Sequence, residues 1–171
     1  HLPLEPRLAR WMIASLEYGC ETDTALLAAF LSEAPYRRGA REFFDSPDLE
    51  CDLALLKQKL PPEWAYLRRE ATDILNAIRE LPRPKEVKKT ASPAMARACS
   101  MLAAYPDRLA QPRQHTREHL KAFTSSDPAR LLQPIVAKMT PNRGVAIRQG
   151  KTLTDAKYFI CADLDLVRNV E

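Results

Sequence analysis

Residues 61–81 read PPEWAYLRREATDILNAIREL, and their spacing decides the class of fold. Trp64, Leu67, Ala71, Ile74, Ile78 and Leu81 recur at intervals of three and four, the stripe of a helix with one buried face, whereas a strand would alternate. Pro61-Pro62 ends the preceding element and opens this one where a missing N–H is harmless. Upstream, Leu49, Leu53, Leu56 and Leu60 predict another helix, with Ser46-Pro47 as N-cap and first helical residue. Before it, Asp23 is expected to cap a helix that is almost wholly apolar from Ala25 to Leu31 and therefore buried on most sides, with Pro35 as its stop. The first helix is expected from Leu4 to Tyr18. Leu4, Leu8, Trp11, Met12 and Leu16 share its face, Pro6 lies in its first turn, and Gly19 supplies a left-handed C′ residue.

Downstream of residue 81 the chain is polar, basic and proline-bearing through Thr90, which predicts a loop. Ser92-Pro93 repeats the cap-plus-proline device for a helix carrying Met95, Cys99 and Leu102, closed by Pro106. Between residues 107 and 143, short apolar groups (Leu120 with Phe123, then Leu131, Leu132, Ile135 and Val136) alternate with Pro112, Pro128, Pro134 and Pro141, and short helices or an ordered insertion are expected. From Gly144 the period becomes two: Val145 and Ile147 alternate with polar or small residues, Gln149-Gly150-Lys151 reads as a turn, and Tyr158 to Val167 is rich in strand formers. The expected class is mainly α. A helical bundle occupies 1–104, connecting short helices or an insertion 105–141, and a partial β region 142–171. Two strands do not make a stable sheet alone, so the β portion is expected to be truncated. A helix opening at residue 4, behind a His1 that resembles a tag remnant, suggests a cut start as well.

Composition narrows the function classes. The chain has 171 residues, 46% hydrophobic and 28% charged, an ordinary globular balance. It has no apolar run of the ~18 residues a membrane span needs and no signal-peptide core, so a cytoplasmic protein without membrane contact is expected. Cys20, Cys51, Cys99 and Cys161 are dispersed and form no Cys-x-x-Cys pair, as expected of reduced thiols. Only 4 glycines stand beside 14 prolines, against a phosphate-cradling loop and in favour of short helices with firm stops. The net charge of +4 is unevenly spread: residues 1–82 carry −4, residues 83–121 carry +6, and residues 122–171 carry +2. Such a change of sign suits a basic surface facing a polyanion, and equally a solvated linker and helix face.

Catalytic patterns are sparse. His115-Thr116-Arg117-Glu118-His119 fits H-x-x-E-H, in which two histidines one helical turn apart grip zinc and the glutamate acts as base. The stretch is short and polar, lies between Pro112 and Pro128, and lacks an evident third ligand, so a solvated helix face is the expected reading and no metal or catalytic residue is assigned. Asp163 and Asp165 share one face of the late strand, as a wet edge or a Mg²⁺ pair would. No G-x-S-x-G elbow and no Walker A sequence occur, so P-loop nucleotide hydrolysis is not expected of these residues. What remains is binding. Lys88, Lys89, Arg108 and Arg113 supply charge around the proline-rich middle, and Arg143, Arg148 and Lys151 flank the first late strand and its turn; they are the candidate phosphate contacts. Tyr158 or Phe159 would add base stacking if it faced outward.

Several stretches resemble a known family. Leu2-Pro3-Leu4-Glu5-Pro6-Arg7-Leu8-Ala9-Arg10-Trp11-Met12, followed by Ala25 to Ser32, is similar to the opening of the helicase-associated (ratchet) domain of DEAH-box helicases. Ala104-Tyr105-Pro106-Asp107-Arg108-Leu109-Ala110 resembles the stretch where that domain hands over to an OB-like domain, particularly in the HrpB branch. Asn142 to Ala146 and Tyr158 to Asp165 are similar to that branch's late strands. The resemblance implies a non-catalytic C-terminal piece of an ATP-dependent RNA helicase that helps to grip single-stranded RNA or DNA. The ATP and Mg²⁺ would belong to motor domains of the same parent chain, with no cofactor in this piece. It carries nucleic-acid contact to Arg108 and Arg143. Residues 114–141 look longer than the family's usual connection, and the His115–His119 stretch has no counterpart in it. The alternatives are a protein-interaction scaffold without nucleic-acid contact and, more remotely, a metal-dependent hydrolase on His115, Glu118 and His119.

Overall fold

The computed structural model describes residues 4–32, 48–58, 60, 62–112, 135–139, 143–147 and 157–161. Five helices precede a sheet: α1 (Pro6–Tyr18), α2 (Glu21–Ser32), α3 (Leu49–Lys57), α4 (Tyr66–Ile78) and α5 (Pro93–Ala104), then β1 (Leu109–Pro112), β2 (Ile135–Met139), β3 (Arg143–Ile147) and β4 (Phe159–Ile160). Single 3-10 turns at Pro62–Trp64 and Pro106–Arg108 lead into α4 and β1. Most described residues are helical, so the chain is mainly α. Among them, no helix is long and apolar enough to cross a membrane.

The helix ends follow local chemistry. Pro6 opens α1 at N1, and Gly19 closes it at φ 63° with its N–H donating to the Ser15 carbonyl. A glycine is required there, because a Cβ would stand in a left-handed conformation 3.1 Å from Cγ1 of Val87. Helix α2 begins at Glu21, three residues earlier than an Asp23 cap would allow. The Cys20 carbonyl accepts the Thr24 N–H at 3.0 Å, and Asp23 falls inside the first turn. For α3 the cap is Asp48, which accepts the Glu50 N–H at 3.0 Å; the expected Ser46-Pro47 cap and the Pro35 stop lie outside the described residues. Ser92 caps α5 as its sequence predicts, accepting the Met95 N–H at 3.1 Å.

Helix α4 buries Leu67, Ala71, Ile74 and Ile78, the stripe that its spacing predicts. Trp64 is also buried, but within the 3-10 turn, and Leu81 packs half-buried beyond the helix end. Helix α5 is rotated from expectation. Met95 is 49% exposed and Cys99 and Leu102 are half-buried, while Ala96, Arg97, Ser100, Met101 and Ala104 face inward. The physical reason lies on its neighbours. Small residues let α5 settle along α1, where Trp11 donates Nε1–H to Ser100 Oγ at 3.0 Å, and Arg97 has carboxylates to meet on α2 and α3. Helix α1 also packs on α2, which in turn lies on α4 and α3. Trp11, Phe30, Leu56, Leu67, Ile78, Met101 and Tyr105 belong to one shared core. Truncating one of its large aromatics to alanine costs about 3–5 kcal/mol.

The sheet is antiparallel in the order β3-β2-β1-β4. Ala110 pairs with Met139 and Pro112 with Ala137, Ile135 pairs with Ile147, and Leu109 pairs with Ile160. Where short helices or an ordered insertion are expected before residue 142, residues 109–112 and 135–139 form strands β1 and β2. Four residues are too few to display a period in β1, and in β2 the chain pairs with strands at both sides. The turn expected at Gln149-Gly150-Lys151, and residues 162–167 of the last predicted strand, lie outside the described residues.

Candidate nucleic-acid interface

Three groups of cations stand on this frame, and their partners decide what each offers to a phosphate. The first is the basic loop after α4. Arg83 donates to Glu21 at 2.7 Å. Four residues on, Val87 covers Gly19, the Lys88 N–H donates to the Glu17 carbonyl at 2.7 Å, and the Lys88 ammonium bonds the Glu17 carboxylate. The ammonium also sits 5.1 Å from the centroid of the Tyr18 ring, an additional cation–π attraction. The hydrogen bond it donates to Glu17 raises the Lys88 pKa above its ordinary value. Lys85 and Lys89 are exposed, with no ion pair among the described residues.

The second group forms the joint between helices and sheet. Tyr105, a buried residue 3% exposed, ends α5, and two guanidinium groups approach its ring, Arg7 at 5.5 Å and Arg108 at 5.2 Å from the centroid. Asp107 feels the charge of its neighbour Arg108, and its side-chain hydrogen bonds run to α1. It makes a two-bond fork with Arg7, one hundred positions away, at 2.8 and 3.1 Å. That hydrogen-bonded pair lowers the Asp107 carboxyl below its usual range and raises Arg7. The Arg108 carbonyl accepts the Cys161 N–H at 3.1 Å, which ties the joint to the end of β4. Burial there pushes the Cys161 thiol up to about 11.

The third group is buried between helices. Arg97, with its side chain 9% exposed, donates Nε to Glu50 at 2.8 Å and Nη1 to Asp23 at 2.7 Å, while Nη2 also bonds Glu50. Lys57 completes the cluster with Asp23 at 2.7 Å. Its hydrogen bond to Glu50, opposed by burial, raises the Arg97 pKa further. An open cleft of about 470 Å³ lies beside this cluster, lined by Gly19, Cys20, Thr90, Ser92 and Arg97 among others. Every guanidinium nitrogen of Arg97 already bonds a carboxylate, so its charge is neutralised where it lines the cleft. The sequence misses this cluster because Asp23, Glu50 and Arg97 are far apart along the chain.

Of the candidate contacts, Lys88 and Lys89 stand at the C-terminal end of α1. Arg108 stands near its N-terminal end, where Arg7 shares the Tyr105 ring. The ten residues from Arg7 to Glu17 set these two places about 15 Å apart along the helix. Arg143 opens β3, its main chain level with Met139. Arg113, Arg148 and Lys151 lie outside the described residues, as do His115, Glu118, His119, Asp163 and Asp165. Tyr158 precedes β4 and is 58% exposed, whereas Phe159 is half-buried. Among the described residues, no group of three or more histidines, cysteines or carboxylates is arranged to hold a metal ion. The chain matches no family model, no curated protein and no solved structure.

Proposed function

We propose that this chain is a non-catalytic accessory region of an ATP-dependent RNA helicase of the DEAH-box type. It grips single-stranded nucleic acid while motor domains elsewhere in the parent protein hydrolyse ATP. The observation that carries the reading is the placement of Tyr105-Pro106-Asp107-Arg108 between α5 and β1. In the family that this stretch resembles, the same sequence stands where a ratchet-like helical bundle gives way to an OB-like domain. On this reading α1 to α5 are the bundle and the sheet is the OB-like portion. Lys88, Lys89 and Arg143 supply phosphate contacts, joined by Arg113, Arg148 and Lys151 from the sequence. Arg108 serves the joint first, through its ring contact with Tyr105.

Fluorescence anisotropy with a labelled single-stranded RNA tests the reading. The affinity should fall steeply as salt rises, by about 0.7 logarithmic units per logarithmic unit of salt for each phosphate neutralised. Replacing Lys88, Lys89, Arg143 and Arg148 together by alanine should weaken binding and flatten that slope. An affinity indifferent to salt would remove the proposal. A second reading, an interaction scaffold, is favoured by the ion pairs that engage Arg7, Lys57, Arg83, Lys88 and Arg97. It expects the fourfold variant to behave as the parent does.

A further inference from the structure

We propose that residues 83–89 are a basic strap which the α1–α2 corner holds down, so that Glu17 and Glu21 compete with nucleic-acid phosphates for it. The inference rests on the nucleic-acid reading and adds a built-in restraint on that same site.

The strap carries Arg83, Lys85, Lys88 and Lys89 with only Glu86 to offset them. Mutual repulsion would push such a segment away from itself and into solvent. It is pinned instead at two places, by Arg83 on Glu21 and by Lys88 on Glu17, with Val87 seated over Gly19 between them. These pins are ionic, and one face of each is wet: the Arg83 and Lys88 side chains are 51% and 56% exposed. Exposed pairs of this kind are weak and exchangeable. A phosphate oxygen accepts the same donors as a carboxylate, and a polyanion gains additionally from counterion release. Lys85 and Lys89, which hold no ion pair among the described residues, make the first encounter. Exchange of Glu17 for a phosphate at Lys88 follows. The Arg97 cluster takes no part, because Asp23 and Glu50 already neutralise its guanidinium.

The test uses the whole chain and the same labelled single-stranded RNA at one fixed salt concentration. Glu17→Gln and Glu21→Gln should each tighten binding by about two-fold and together by several-fold, a size set by exposed ion pairs. The gain from Glu17→Gln should vanish in a Lys88→Ala background. Glu63→Gln, which removes an exposed carboxylate on the turn before α4, should change little. Binding seen only in the doubly substituted chain would also support the restraint. An equal gain from Glu63→Gln would show a general charge effect and overturn the strap. So would unchanged affinity in the glutamine variants when Lys88→Ala/Lys89→Ala weakens binding, and that result leaves the nucleic-acid reading intact. No binding by any variant, the doubly substituted one included, overturns both.

Discussion

Gly19 shows how much one residue can carry. Its φ of 63° ends α1, and the space where a Cβ would stand belongs to Val87. Gly19→Ala should therefore lower the unfolding free energy by about 1–2 kcal/mol in a urea titration, since alanine adds left-handed strain to a tight contact. Asp107 makes a second residue-level prediction. Arg7 holds its carboxyl below the ordinary value near 4, so the pair contributes stability above that pH, and the contribution disappears as pH falls through the lowered folded value. Both side chains are largely exposed, and a double-mutant cycle of Arg7→Ala with Asp107→Ala should return a coupling of no more than about 1 kcal/mol. At this scale the sequence is legible where a residue acts on its neighbours. Gly19 is readable as a helix terminator, and Ser92-Pro93 as a start. Asp107 is not, because its partner lies at the opposite end of the helical region. Lys88 is recognisable as a cation, but Glu17 as its partner is not.

Elements were readable to the extent that their own periodicity dictates their burial. The stripe of α4 predicts its buried face because that face is purely apolar. Helix α5 defeats the same argument: Met95 is the larger apolar residue, yet Arg97 is the one turned inward, satisfied by Glu50 and Asp23. Apolar periodicity cannot register a buried ion cluster whose members come from three helices. Removing one partner of such a cluster strands the other charges, so Arg97→Ala should cost about 2–3 kcal/mol in chemical denaturation. Arg97→Lys should recover little of it, because an ammonium lacks the planar fork that makes two bonds to Glu50 while a third reaches Asp23. By contrast, Ser92→Ala should cost about 1 kcal/mol, the loss of a single cap, and leave the core untouched. Strands β1 and β2 were illegible for a simpler reason. A strand of four residues ending in proline offers no period, and its pairing with β2 and β4 is made by chain that is distant in sequence.

At the scale of the whole molecule, the described residues join five helices to an antiparallel sheet through a few residues after Tyr105. The stability of the protein should consequently respond to alkali at that joint. Cys161, buried next to Arg108, keeps its thiol proton up to about pH 11, while an unfolded chain surrenders it near 9. The folded state then holds more protons than the unfolded one in that interval, so stability should decline between about pH 9 and 11. Cys161→Ser should flatten that part of a pH series of thermal melts. The overall class was legible from proline placement and helical spacing. The end of α5 is readable from Pro106, but the bonds of the joint are not, because they run from Asp107 to α1 and from Arg108 to the end of β4.

The indole of Trp11 is wedged in the seam between two antiparallel helices with its N–H already bonded to Ser100, whereas Trp64, the other tryptophan of the chain, guards the entrance to α4. The protein thus contains two native lamps illuminating different seams. In a Trp64→Phe variant the remaining emission would report the parting of α1 from α5 alone, and would tell whether that seam opens together with the sheet or ahead of it.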